Sequence, residues 1–92
     1  TPSTLKIEVE VQSLEQAEEP LAAGADIIML DNMSVEDMRH VVELCRGQAL
    51  LEASGGITLE NVHAVAETGV DFISIGALTH SAKALDISLE LE

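Results

Sequence analysis

Aromatic side chains are almost missing from this chain: it has one Phe, no Tyr and no Trp. A packed core must then be built from Ile, Leu, Val, Ala and Met. The apolar fraction of 47% makes such a core plausible and disorder implausible. Basic residues are scarce too: 4 Lys and Arg stand against 17 Asp and Glu, a formal charge of -13. A chain of that charge repels nucleic acid and anionic membranes at long range, so neither is expected as a partner. It repels phosphate-rich substrates as well. Any anion site must use backbone N–H groups, a metal ion, or cations from another segment or chain. The single cysteine, Cys45, excludes an internal disulfide framework. It lies in a helical apolar stripe and reads as a small buried hydrophobe. No apolar run approaches the ~20 residues that span a bilayer. The polar start Thr1-Pro2-Ser3-Thr4 does not resemble a signal peptide. It also lacks an initiator Met, so a processed, cleaved or excised chain is expected, with the cytoplasm as its compartment. Ninety-two residues support one domain, 1–92, and not two.

Leu5 to Val11 alternates apolar and charged residues, the period of a strand. Ser13 with Gln16 forms a capping box for a helix toward Ala23, which Gly24 stops. Pro20 inside it predicts a kink or a slipped boundary. Ala25 to Leu30 predicts a strand buried on both faces. Ser34 caps a second helix with Glu36 and Asp37 in its first turn. Its inward stripe is Met38, Val41, Val42 and Cys45, and Gly47 ends it. Ala49 to Ala53 is a third strand. Thr58 caps a third helix with the stripe Val62, Val65 and Ala66, ended by Gly69. Val70 to Ile75 is a fourth strand. Beyond Ala77, a short helix is expected near Ser81–Leu85 and an extended segment over Ile87–Leu91.

An internal repeat supports this order. Gly24-Ala25-Asp26 before Ile27-Ile28-Met29-Leu30 matches Gly69-Val70-Asp71 before Phe72-Ile73-Ser74-Ile75. Alternating strands and helices imply an α/β fold with a parallel sheet and right-handed crossovers. Units of roughly 20 residues suit a partial (β/α) barrel, here of about four strands and three helices plus a short C-terminal segment. An open doubly wound sheet is the rival. Four strands do not close an eight-stranded barrel, so the rest of a barrel or a second copy is expected as partner.

In parallel α/β folds, functional residues gather at the C-terminal strand ends. Four clusters lie there. Glu8 and Glu10 share one side of the first strand; Glu8 reads as a solvated face and Glu10 as functional. Asp31-Asn32 ends the second strand, where an Asp binds ribose hydroxyls or magnesium, or else closes an Asx-turn. Glu52-Ala53-Ser54-Gly55-Gly56-Ile57-Thr58 ends a strand and opens a helix, a place for phosphate on backbone amides, or an ordinary βα turn. Gly76 to His80 resembles the second half of a barrel phosphate site, with His80 as a donor or a solvated loop residue. His40 and His63 lie on helices and read as surface. No Cys/His spacing suggests zinc.

Taken together, Lys6-Ile7-Glu8-Val9-Glu10-Val11, Gly24 to Asn32, Leu51 to Thr58, Gly76 to Ser81 and Ala84 to Leu89 resemble the carboxy-terminal half of the quinolinate phosphoribosyltransferase family (nicotinate-nucleotide pyrophosphorylase, carboxylating). The resemblance spans nearly all 92 residues in order. It implies transfer of phosphoribose from phosphoribosyl pyrophosphate to quinolinate, giving nicotinate mononucleotide, pyrophosphate and CO2 for NAD biosynthesis. It implies Mg2+ accompanying the pyrophosphate, and a homo-oligomer, a dimer in the family. By position, Glu10 and Asp31 match the catalytic acidic pair near ribose and metal. Ser54, Gly55, Gly56 and Gly76 match phosphate-binding positions, and His80 a histidine of the last active-site loop. The cations that hold the substrate dianion have no counterpart among Lys6, Arg39, Arg46 and Lys83. Two alternatives stay open: a catalytically inert half-barrel that self-associates, and a molybdenum-transport-associated (ModD-like) phosphoribosyltransferase relative of the same fold.

Overall fold

The computed structural model describes residues 7–83. Their order is β1 (Glu8–Val11), α1 (Leu14–Ala22), β2 (Ile27–Asp31), α2 (Val35–Cys45), β3 (Leu50–Ser54), α3 (Val62–Ala66), β4 (Phe72–Ile75) and β5 (Leu78–Ser81). The sheet order is β1-β2-β3-β4-β5. The first four strands are parallel, each beside its predecessor, and β5 is antiparallel to β4. A doubly wound sheet would reverse its strand order at a switch point. The sequential order is that of a barrel wall instead.

The Ser13 and Ser34 N-caps form as the sequence predicts, but Gln16 reaches past Ser13 to the Gln12 amide. Ser13 Oγ accepts the Gln16 amide at 3.2 Å, and Gln16 Oε1 accepts the Gln12 amide at 2.7 Å. Ser34 Oγ accepts the Asp37 amide at 3.1 Å. Pro20 does not move the boundary of α1, which runs on to Ala22. It sits in the last turn, where the helix is about to end. The cap of α2 is Arg46 in the left-handed region (φ 48°), one residue earlier than Gly47.

Three expectations are corrected. First, β2 is not buried on both faces. Ile28 and Leu30 are fully buried, whereas Ile27 and Met29 are half-buried. All the deep core lies on one face of the sheet, where Val11, Ile28, Leu30, Ala53 and Ile73 meet Ala17, Met38, Val41, Cys45, Val62 and Val65. Each large side chain there contributes about 1.5–3 kcal/mol by leaving water. Burial at that face pushes the Cys45 thiol above its ordinary range. Second, α3 starts four residues after Thr58. Thr58 Oγ1 accepts the Glu60 and Asn61 amides, and Asn61 Oδ1 accepts the Thr58 amide at 2.8 Å. This reciprocal cap closes a separate turn before the helix proper. Third, residues 78–81 are a strand, and the expected short helix begins directly after it, at Ala82–Lys83, rather than at Ser81. Gly76 (φ 62°) and Ala77 form a two-residue hairpin turn closed by the Ile75–Leu78 pair. Positive φ at its first central residue only is the type II′ pattern, which matches strand twist. The expected segment Ile87–Leu91, and the Ser81–Leu85 helix beyond residue 83, lie outside the described residues.

The repeat has a structural cause. The Asp26 amide donates to the Ile7 carbonyl at 2.9 Å, and the Ile7 amide donates to Asp26 Oδ2 at 2.8 Å. Asp71 does the same with Leu51, at 2.9 Å in both directions. Each Asp thus clamps its strand to the preceding one with a reciprocal pair of bonds. The Leu51 amide is part-buried and has no water to replace the lost acceptor. Asp71→Ala is therefore expected to lower unfolding stability by about 1–3 kcal/mol in a urea titration, with the slope unchanged.

Candidate functional site

The face of the sheet opposite the helices is open. Strand register puts Glu10, Met29, Glu52, Phe72 and Ser81 on one row across it. Asp31 and Ser54 are paired two residues further on. Ser74 and Thr79 are paired likewise on β4 and β5. Glu8 lies at the other end of the same face, level with Ile27 and Leu50. It is exposed, as the solvated reading expects.

At the C-terminal ends, β2 and β3 fit closely. The Asn32 amide donates to the Ser54 carbonyl at 2.7 Å, with Asn32 at φ 58°. A Cβ on Gly55 would lie 2.8 Å from Asp31 Oδ1 and 3.1 Å from the Asn32 nitrogen. A Cβ on Gly56 would lie 2.9 Å from Asn32 Oδ1. Both glycines have positive φ, 78° and 72°. The positive φ favours glycine at both positions, and at Gly55 the Asn32 backbone leaves no room for a side chain as well. Asp31 is steadied by Gln12, whose Nε2 donates to Asp31 Oδ2 at 3.3 Å.

The loop after β3 holds free donors. The Thr58, Glu60, Asn61 and Val62 amides are taken up by the turn that precedes α3. Asn61 Nδ2 also ties that turn to the Gly56 carbonyl at 2.9 Å. The amides of Gly55, Gly56 and Ile57 donate to no group among the described residues. The unspent amides therefore sit upstream of the helix start, in the Gly-Gly loop itself.

Glu10, Asp31, Ser54, Gly55 and Gly56 are thus brought to one face or one end of the sheet. Gly76 shares the C-terminal end, in the hairpin turn. His80 does not join them. It pairs with Ile73, a core residue, so it is on the helix-covered face. The physical reason is strand parity: in a strand, the residue between Thr79 and Ser81 points the other way. Glu52 stands in the third strand-end cluster of the sequence without a role of its own, and Ser74 carries no sequence signal beyond its strand. Ser74 Oγ donates to Glu52 Oε2, and lies 3.1 Å from Thr79 Oγ1. His63 is on α3 beside Glu67 at 3.0 Å, and His40 is exposed on α2, both away from this face.

The described cations are elsewhere as well. Arg39 and Arg46 belong to α2 and its cap. Lys83 lines a recess of about 510 Å3 with Val70, Asp71 and Phe72, at the N-terminal end of β4. Among the described residues, no group of three or more His, Cys, Asp or Glu could hold a metal ion, and no helix is long and apolar enough to cross a membrane.

The model of the quinolinate phosphoribosyl transferase C-terminal domain matches residues 1–90. This chain belongs to that family. A probable nicotinate-nucleotide pyrophosphorylase (carboxylating) of Bacillus subtilis is 51% identical over 95% of the chain and 30% of its own length. The human nicotinate-nucleotide pyrophosphorylase (carboxylating) is 44% identical over 96% of the chain and 31% of its own length. The chain therefore spans about a third of these quinolinate phosphoribosyltransferase relatives. The nicotinate-nucleotide pyrophosphorylase structure from Francisella tularensis superposes with a TM-score of 0.75 at 43% identity, covering 87% of this chain and 30% of that one. A thiamine phosphate pyrophosphorylase from Pyrococcus furiosus follows the same fold, with a TM-score of 0.72 at 27% identity over 98% of this chain and 50% of that one.

Proposed function

We propose that the chain supplies the ribose and phosphate side of a quinolinate phosphoribosyltransferase site. The reaction converts quinolinate and phosphoribosyl pyrophosphate to nicotinate mononucleotide, pyrophosphate and CO2 in NAD biosynthesis. The observation that carries this reading is the close fit of Asp31-Asn32 against Gly55-Gly56. It sets a carboxylate beside a loop whose amides are unspent. Amides that converge on a phosphate without a basic side chain suit a chain of charge -13.

In the reaction, pyrophosphate leaves the anomeric carbon with the bonding electrons, and the quinolinate nitrogen lone pair forms the new bond. Positive charge builds on the ribose in between. Asp31 and Glu10 stand on one face to accept ribose hydroxyls and to stabilise that charge. The Ser54-Gly55-Gly56 loop and Gly76 would hold the phosphate through backbone N–H groups. A metal caged by the protein does not fit, since no three-ligand cluster is formed among the described residues. A Mg2+ that keeps its waters and the substrate's phosphates needs only one or two carboxylates, and Glu10 and Asp31 suit that role. Bound there, Mg2+ would neutralise charge on the leaving pyrophosphate. The cations for the quinolinate carboxylates would come from a further part of the barrel or from another subunit of a homo-oligomer.

The test is turnover by the complete gene product. With phosphoribosyl pyrophosphate, Mg2+ and quinolinate, pyrophosphate and CO2 are expected in equal amounts. Pyrophosphate release with nicotinate and without CO2, or no turnover at all, contradicts the reading.

A further inference from the structure

Resting on that function, we propose that Ser74 is a positioning residue that holds Glu52 as a third carboxylate on the substrate face, with Thr79 in turn holding Ser74. A carboxylate only accepts hydrogen bonds, so the single Ser74 hydroxyl proton goes to Glu52 Oε2. Ser74 then has lone pairs alone to offer, and the bond to Thr79, at 3.1 Å, must be donated by Thr79. The direction of the relay is fixed: Thr79 to Ser74 to Glu52.

Glu52 Oε1 is not engaged in turn. No buried side-chain oxygen is left unpaired among the described residues, and Oε1 has no hydrogen-bond partner, so it is open to the face. Register places Glu52 level with Glu10, two strands away, or about 10 Å at ordinary strand spacing. Asp31 is diagonal to both, about 7–8 Å off. Glu10 and Glu52 thus stand symmetrically about Asp31, around Met29. A third carboxylate at that place acts on the same developing ribose charge. A flexible Glu would fold away from two like charges, and the hydroxyl relay fixes it against that repulsion. The relay also ties the β4–β5 hairpin, with Gly76 in its turn, to the carboxylate group.

The test uses the complete gene product and steady-state kinetics with phosphoribosyl pyrophosphate as the varied substrate. Ser74→Ala is expected to lower kcat about 10- to 100-fold, the loss of a charge-assisted bond, with KM changed by less than about twofold. Ser74→Thr keeps the hydroxyl and is expected to recover kcat to within about threefold. Thr79→Val, on an exposed edge residue, is expected to lower kcat in the same direction and covers the case in which Ser74→Ala fails to fold. In a Glu52→Gln background, Ser74→Ala is expected to add less than about threefold. Equal kcat for Ser74→Ala and the parent, or full additivity with Glu52→Gln, overturns the proposal while the parent enzyme stays active. An inactive parent overturns the underlying function first and the proposal with it.

Discussion

Gly55→Ala is expected to lower kcat/KM by about 100-fold or more, because the added methyl has no room at the site's tightest point. Its Cβ would sit 2.8 Å from Asp31 Oδ1 and 3.1 Å from the Asn32 backbone nitrogen. The carboxylate swings away at little cost, but the backbone of Asn32 is pinned by its 2.7 Å bond to Ser54. The methyl therefore displaces Asp31, or it opens the seam between the β2 and β3 ends, and either moves the carboxylate relative to the amides. The φ of 78° adds backbone strain that any L-residue would feel. Gly24→Ala separates the two effects. Gly24 has a similar φ of 86° and nothing within 4 Å of its Cβ. It is expected to lose about 1 kcal/mol of stability and keep its kcat/KM. Paired kinetic and urea-unfolding measurements on the two variants read both outcomes.

Asp31→Asn is expected to lower kcat/KM by about 10²- to 10³-fold with unfolding stability nearly unchanged. The substitution keeps the side chain's size and an oxygen for Gln12, so the strand end survives. It removes the negative charge that the cationic ribose would meet. Glu8→Gln removes a charge from the same face at the far end of the strand. It is expected to change kcat/KM by less than about twofold, since that carboxylate is exposed and screened by solvent.

The barrel order was legible because strand and helix alternate and because the Gly-x-Asp repeat marks two strand starts. The repeat has a meaning no periodicity reveals: Asp26 and Asp71 each clamp a neighbouring strand. Asp31 and the Gly55-Gly56 pair were legible as strand-end candidates, since polar residues and glycines at the C-terminal ends of parallel strands are where an α/β fold can place a site. Their mutual contact was not, because register between strands is set by the whole sheet. Glu52 stood in a strand-end cluster without a role of its own, and Ser74 hid inside Phe-Ile-Ser-Ile, a string that reads as a plain strand. Parity puts both residues on the open face, but only the β3–β4 pairing brings them together. β5 was illegible for a related reason. Leu78-Thr79-His80-Ser81 has little strand pattern of its own, and it becomes a strand by pairing with the free edge of β4. That pairing turns His80 to the helix side of the sheet.

In the proposed site, the amides of the loop after β3 hold the phosphate beside Asp31. Backbone amide NMR of the isotope-labelled protein, titrated with phosphoribosyl pyrophosphate and Mg2+, tests it most directly. Saturable shifts at Gly55, Gly56 and Gly76, with Gly24 and Gly47 unmoved, are the predicted result. A complete titration that leaves Gly55 and Gly56 in place, or moves the amides at the N-terminal strand ends instead, would contradict it.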